Sequence, residues 1–451
     1  MERGGRPPRL TAPGSGGYSG PVGTGAAGEA SIPPFCGNRE KMKQLVVLGL
    51  LCMAFCACAT VEPSREVIVL ETPGKRREAP PRETARIPTP VAPRSADSGI
   101  PADTSDSILA VVDHMTLREK IAQHFIVWIP RDAGADAVRA VKALQPGGYI
   151  LYPWNYKTIA DVRALTAELS AVDDGIPATV DVRPFLCVDQ EGGRVAAFRF
   201  PEFPAPPSAF LLGSLGSEAL VEEAAYSTAL ELAYLGINMN LAPVADLYSR
   251  PDETIIGDRS FGPDPEATAR LVAAAVRGLN RGGIIPTLKH FPGHGMTTVD
   301  SHGDLPVVAW DLKDLRRSEL VPFVAGLDAG APVVMTAHIL YPAIDRERPA
   351  TLSATILKGL LRRELGFDGI ILTDGFEMGA ITKNYGKGEA VAAALEAGIT
   401  LVLLYSRYDP AEMIDIVEGL VRDGKLSVET IDRNLVRILR VKKQYGLLNG
   451  M

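Results

Sequence analysis

Residues 353–376 read "SATILKGLLRRELGFDGIILTDGF". A helical pattern stops at Gly366, and a short apolar run follows it and ends on Asp374. A strand with one wet face alternates apolar and polar residues. A run that is apolar throughout suits a parallel strand buried on both faces. The unit gains its meaning from repetition.

Runs of the same character occur at 124–130 ("HFIVWIP"), 147–154, 184–193, 237–247, 284–295, 332–339 and 399–406, with helical patterns between them. Gly236, Gly330, Gly366 and Gly398 stand just before the next run, where a helix stop is expected. Repeated βα units suit either an open doubly wound sheet or a closed (β/α)₈ barrel. Eight units in one pass, with no Gly-rich nucleotide fingerprint after the first strand, favour an α/β fold of the (β/α)₈ TIM type. The expected domain spans residues 103–451.

The preceding hundred residues have a different composition. Residues 1–41 are rich in Gly, Pro, Ser and Arg without apolar periodicity, and read as disordered or as translated upstream sequence. Residues 42–58 have the layout of a secretory signal: Lys41 and Lys43, an apolar run from Leu45 to Phe55, then small residues and cysteines. The ending "AFCAC" resembles a lipobox with Cys58 as the lipidated residue, so an exported, membrane-anchored lipoprotein on the periplasmic or cell-surface side is expected. The Pro- and Arg-rich stretch 59–102 reads as a tether. Four of the five cysteines lie at or before Cys58, leaving Cys187 alone in the globular part and no disulfide framework there. A formal net charge of −7 argues against a nucleic-acid partner.

In a barrel of this type the active site lies at the C-terminal strand ends. Those ends carry Trp154-Asn155, Asp189, Asp246, Lys289-His290, His338 and Asp374, a convergence of ionisable groups that points to an enzyme. The stretch "KHFPGHGMTTVDSHGDLP" (289–306) adds three of the six histidines within thirteen residues. His290 and His294 have the spacing of two metal ligands on one helical face, and His338 could join them, but Pro292, Gly293 and Gly295 interrupt any helix, which leaves a metal-dependent hydrolase as the weaker reading. Asp300-Ser301-His302 has the layout of an acid orienting a histidine, although D-x-H alone is a weak signal. His294 reads as structural, ordering the loop.

Taken together, "VDQEGGRV" (188–195), "GDRSFGPDP" (257–265), "KHFPGHG…DSH" and "DGIILTDGFEMGAI" (368–381) resemble, in order, the motifs of family 3 glycoside hydrolases, in the single-barrel β-N-acetylglucosaminidase branch. The resemblance covers residues 105–445. It implies a (β/α)₈ barrel and a retaining exo-hydrolase, with no metal or organic cofactor, acting on terminal β-linked N-acetylglucosamine in peptidoglycan fragments or chito-oligosaccharides. It also implies roles: Asp374 as nucleophile, His302 with Asp300 as acid/base, and Asp189, Arg259, Lys289, His290 and Arg194 as sugar-binding residues. Arg194 could instead anchor its own loop. The chain departs from the family pattern at Met296, where Asp commonly stands, and at Gly375, where relatives often carry Asp or Ala. A sugar-binding lipoprotein without turnover, and a glycosidase or phosphorylase of other specificity, are the alternative readings.

Overall fold

The computed structural model describes residues 106–131, 134–171, 181–248, 255–295, 297, 301 and 303–449. The signal, the tether and Cys58 lie outside these residues.

Eight parallel strands form the centre: β1 (Phe125–Trp128), β2 (Gly148–Ile150), β3 (Phe185–Val188), β4 (Met239–Asn240), β5 (Ile285–Phe291), β6 (Val333–Thr336), β7 (Ile370–Thr373) and β8 (Val402–Leu403). They pair in sequence order from β1 to β7, and β8 lies on the far side of β1. A bridge between Leu372 and Leu401 joins β7 to β8, with Thr373 N–H donating to Leu401 O at 3.0 Å. The sheet thereby comes round on itself, and the expected barrel is present.

Alternation explains why the strands look uniformly apolar. Ile126, Ile150, Phe185, Cys187, Met239, Ile285, Val333, Met335, Ile370, Leu372 and Leu403 share one buried cluster inside the barrel. Their neighbours Phe125, Val127, Tyr149, Leu186, Val188, Val334, Ile371 and Val402 belong to a second cluster beneath the surrounding helices. Both faces of every strand are dry, as a barrel requires.

The helices start and stop where local chemistry directs. Ile159–Ser170 opens with a capping box, in which Thr158 accepts from Asp161 N–H and the Asp161 carboxylate accepts from Thr158 N–H. Pro265–Arg281 begins with Asp264 as cap and proline in the first turn. Lys387–Ala397 ends at Gly398 with φ 111°, a left-handed turn that other residues adopt at a cost. Thr355–Glu364 departs from expectation: it is helical but wound in the wider π register, with Leu365 N–H donating to Leu360 O.

The C-terminal helix Val428–Gln444 closes the bottom of the barrel, inserting Ile438 and Val441 among the interior residues. With them comes Lys442, fully buried, its Nζ 2.8 Å from Gln123 Oε1 and 5.1 Å from the Phe185 ring. Burial lowers its pKa to about 7. In the unfolded chain the group keeps its proton up to about 10.4, so between the two values the unfolded state binds more protons and stability rises with pH. Lys442→Met is therefore expected to raise the urea midpoint at pH 7 and to flatten the pH dependence up to about pH 10. A variant less stable than wild type at pH 7, with the slope intact, would show that the ammonium is adequately solvated where it sits.

Candidate active site

At the C-terminal end of the barrel the strand ends surround a cavity of about 440 Å³. Its floor is apolar, made of Leu241, Met335 and Leu403, and its walls are charged.

One wall is a chain of ions. Glu191 accepts both Nε (2.7 Å) and Nη2 (2.8 Å) of Arg259, and Lys289 Nζ lies 2.6 Å from Glu191 Oε1 and 2.7 Å from Asp189 Oδ1. Lys289 and Glu191 are almost wholly buried, whereas about a third of the Asp189 side chain is open to the cavity. Burial pushes the Glu191 carboxyl up, but Arg259 and Lys289 outweigh it and hold it at about 2. The same contacts overcome burial for Lys289 and keep its ammonium above the ordinary lysine value.

A second wall is built on Asp246, which is fully buried. It accepts the backbone N–H groups of His290 (3.1 Å) and His294 (2.8 Å), and the His290 Nδ1–H at 2.7 Å. His290 Nε2 is left facing Arg259 Nη2 at 3.4 Å. The "PGHG" segment packs too tightly for larger residues: a Cβ on Gly295 would lie 1.9 Å from Leu247 O, and one on Gly293, at φ 139°, 2.6 Å from the Glu319 side chain. His294 is buried against Thr297 and Ser301, consistent with an ordering role for the loop.

Asp374 follows β7 directly. Its Oδ1 accepts the Gly375 N–H at 2.7 Å, while the Gly375 carbonyl is 3.1 Å from Nε2 of the buried His338. Burial raises its pKa, yet His290, His338, the Gly375 N–H and Lys289 together bring it down to about 2. An ionised carboxylate on a rigid strand end, open to the cavity, is what nucleophilic attack needs. At Gly375 an added Cβ would meet Met378 at an ordinary 3.5 Å, so alanine fits there as well as glycine does.

Of the eight residues singled out from sequence, five meet at this cavity: Asp189, Arg259, Lys289, His290 and Asp374. Arg194 points elsewhere. It donates to Ile255 O (2.6 Å) and Ile256 O (2.9 Å) and pairs with Asp258, bracing the segment that presents Arg259. Asp300, His302 and Met296 lie outside the described residues. Ser301, between the two, lines the cavity, is buried, and accepts the Ala380 N–H through its carbonyl at 3.1 Å. Sequence reasoning missed Glu191, which sat unremarked inside "VDQEGGRV". It also missed Glu377, which accepts the N–H groups of Tyr405, Ser406 and Tyr408 at 2.7–2.8 Å and ties down the loop after β8. Among the described residues no group of three or more metal-binding side chains is clustered.

Comparison with known proteins agrees with this geometry. Residues 116–441 match the model of the glycosyl hydrolase family 3 N-terminal domain. The β-hexosaminidase LpqI of Mycobacterium tuberculosis is 36% identical over 366 residues, which cover 78% of this chain and 88% of that protein. The β-hexosaminidase of Thiobacillus denitrificans is 37% identical over 275 residues, 59% of this chain and 74% of its own. The structure of a family 3 β-N-acetylglucosaminidase from Paenibacillus sp. superposes with a TM-score of 0.69 at 40% identity, covering 74% of this chain and 63% of that one, less than two thirds of its length. A match that runs through every strand of the barrel and every wall of the cavity has one meaning: the chain belongs to glycosyl hydrolase family 3.

Proposed function

We propose that the protein is a retaining exo-β-N-acetylglucosaminidase that removes terminal β-linked N-acetylglucosamine from peptidoglycan fragments, at the β-1,4 bond to N-acetylmuramic acid. The observation that carries this reading is the ionised Asp374 at the end of β7, facing the Lys289–Asp189 and Arg259–Glu191 pairs across one small cavity. A volume of about 440 Å³ lies in the ordinary range for small-molecule sites, and its apolar floor suits a chain end. The names of the relatives favour the hexosamine.

In this mechanism Asp374 attacks the anomeric carbon and forms a covalent glycosyl-enzyme, which water then hydrolyses with net retention. Asp189 accepts hydrogen bonds from sugar hydroxyls, Lys289 and Arg259 donate to them, and His290 Nε2 faces the same space. A proton must reach the leaving oxygen, and among the described residues the glutamates of the cavity and the remaining histidines are held in other contacts. Glu191 is held ionised, Glu377 is occupied by three backbone amides, and His294 and His338 are buried and engaged at both ring nitrogens. His114 bonds to the backbone of its own exposed helix, and His124 is buried between the carbonyls of Thr400 and Ile431. The family resemblance gives the acid/base role to His302, which follows the cavity-lining Ser301 in the sequence, with Asp300 as its partner.

An aryl β-N-acetylglucosaminide tests the assignment. Asp374→Ala should lower kcat by about 10⁴-fold or more, and His302→Ala by roughly 10²-fold on a disaccharide but far less on a nitrophenyl leaving group that needs no proton. Equal losses on both substrates would remove His302 from protonation. Because Asp374 loses its charge only as pH falls toward 2, it contributes no acid limb above about pH 4. The profile of kcat/KM should instead fall on the alkaline side, near the ordinary histidine value of about 6.5, and His302→Ala should abolish that limb.

Export and anchoring through Cys58 belong to the same reading. In cells making the full chain, Cys58→Ser should move the protein from the detergent phase to the aqueous phase on phase separation; a variant that stays with the detergent would rule this anchor out.

A further inference from the structure

One hydroxyl in the wall of the catalytic cavity lacks a partner. Tyr152 follows β2, and the register of β2 with β3 sets its place: Ile150 stands opposite Cys187, and Leu151 N–H donates to Cys187 O at 3.0 Å. Two residues further along, Tyr152 comes level with Asp189, and both continue rows that point into the barrel. The Tyr152 side chain is buried and lines the same cavity as Asp189 and Asp374. Among the described residues its hydroxyl oxygen is closed off from water and has no hydrogen-bond partner.

The phenol is firmly held. Tyr152 N–H donates to Asn155 Oδ1 at 2.9 Å, and Asn155 Nδ2 in turn donates to Ile129 O at 3.0 Å. The ring stacks on Trp154 with centroids 4.4 Å apart and meets Tyr405 edge-on at 5.1 Å. The carboxylates of the cavity are engaged elsewhere: Asp189 with Lys289, Glu377 with three backbone amides, and Asp374 with the Gly375 N–H. Burial raises the phenol pKa well above the ordinary tyrosine value, and Asp189, Tyr405, Glu377 and Asp374 add to that, so the group stays a neutral O–H donor. A buried hydroxyl without an acceptor is costly, and native structures seldom keep one without a use for it.

Resting on the glycosidase reading above, we propose that Tyr152 is a substrate-binding residue whose hydrogen-bond acceptor arrives with the sugar. A sugar hydroxyl both donates and accepts. One that donates to Asp189 can accept from the Tyr152 O–H on the neighbouring strand, which satisfies both groups at once. Access is through Tyr405, which is 42% exposed on the loop after β8, packs edge-on against Tyr152 and moves aside as the sugar enters. The free protein carries the cost of the unpaired hydroxyl, and binding removes it.

Tyr152→Phe, made in the full chain, deletes the hydroxyl and keeps the ring, so it separates this role from packing. Its urea midpoint, measured without sugar, should equal or exceed that of the wild type, because the unpaired group is gone. On an aryl β-N-acetylglucosaminide its kcat/KM should fall about tenfold. Analogues of that substrate, each lacking one sugar hydroxyl, identify the partner: one of them should be cleaved equally well by the two proteins. A lower urea midpoint would overturn the proposal, since the hydroxyl would then be satisfied in the free protein. An unchanged kcat/KM, or a loss that persists on every analogue, would overturn it as well. If the wild type cleaves none of these substrates, the glycosidase reading fails, and titration of N-acetylglucosamine into both proteins decides the binding role. Weaker binding by the variant supports it; equal binding, or none by the wild type, overturns it.

Discussion

The active site depends on one buried set of ions, Arg259–Glu191–Lys289–Asp189. Two cations and two carboxylates lie in line, and the central pair, Glu191 and Lys289, is almost wholly removed from water. Taking such groups out of water costs several kcal/mol each, and only close, well-directed contacts offset that cost. The contacts here are short and one is bidentate, at 2.6–2.8 Å. Remove Glu191 and two cations are left facing each other in a low dielectric. Asp189, at the open end, is the member that can exchange its partner for a sugar hydroxyl without undoing the rest.

The electrostatics of Asp374 follow from this arrangement. A carboxylate against the apolar floor of a barrel would ordinarily hold its proton, because burial penalises the charged form. His290 and His338 act in the opposite direction, the Gly375 N–H helps, and Lys289 adds to them although it is bonded to other acids. His290 is fixed in turn by Asp246, which bonds both its ring and its backbone. Each group that lowers the Asp374 pKa is thus held by a carboxylate or a backbone atom of a different strand or loop. Catalytic geometry at this level is a property of the closed barrel, since β3, β5 and β7 meet only once the sheet comes round.

All eight strands were legible in the sequence because each is dry on both faces, and dryness leaves an unbroken apolar run. Their lengths were not. The run 237–247 yields a strand of two residues, Met239–Asn240, and 399–406 yields Val402–Leu403. Apolar side chains beyond the ladder pack into the core without pairing, so composition overstates the strand. The π register of Thr355–Glu364 left no mark, since its buried pairs Ile356–Leu357 and Leu360–Leu361 suit an α-helix equally well. Within the site, residues at strand ends were legible by position. Glu191 and Glu377 were not, because their importance lies in partners 68 and about 30 residues away. Arg194 shows the converse: a motif position whose guanidinium turns to backbone carbonyls and steadies the segment before Arg259.

Inside and rim differ in how they treat positive charge, and the difference has a physical consequence. A cation already paired with a carboxylate presents little net field and can still donate a hydrogen bond, so Lys289 and Arg259 suit the neutral hydroxyls of a sugar. Arg131, Lys157 and Arg407 stand exposed at the rim, with Asp161 close to Lys157. The paired set lies in the closed cavity and the exposed set on the wet rim, each where it is least costly, since an uncompensated charge is expensive only when buried. The rigid strand end then holds Asp374 where the surrounding groups keep its carboxylate ionised.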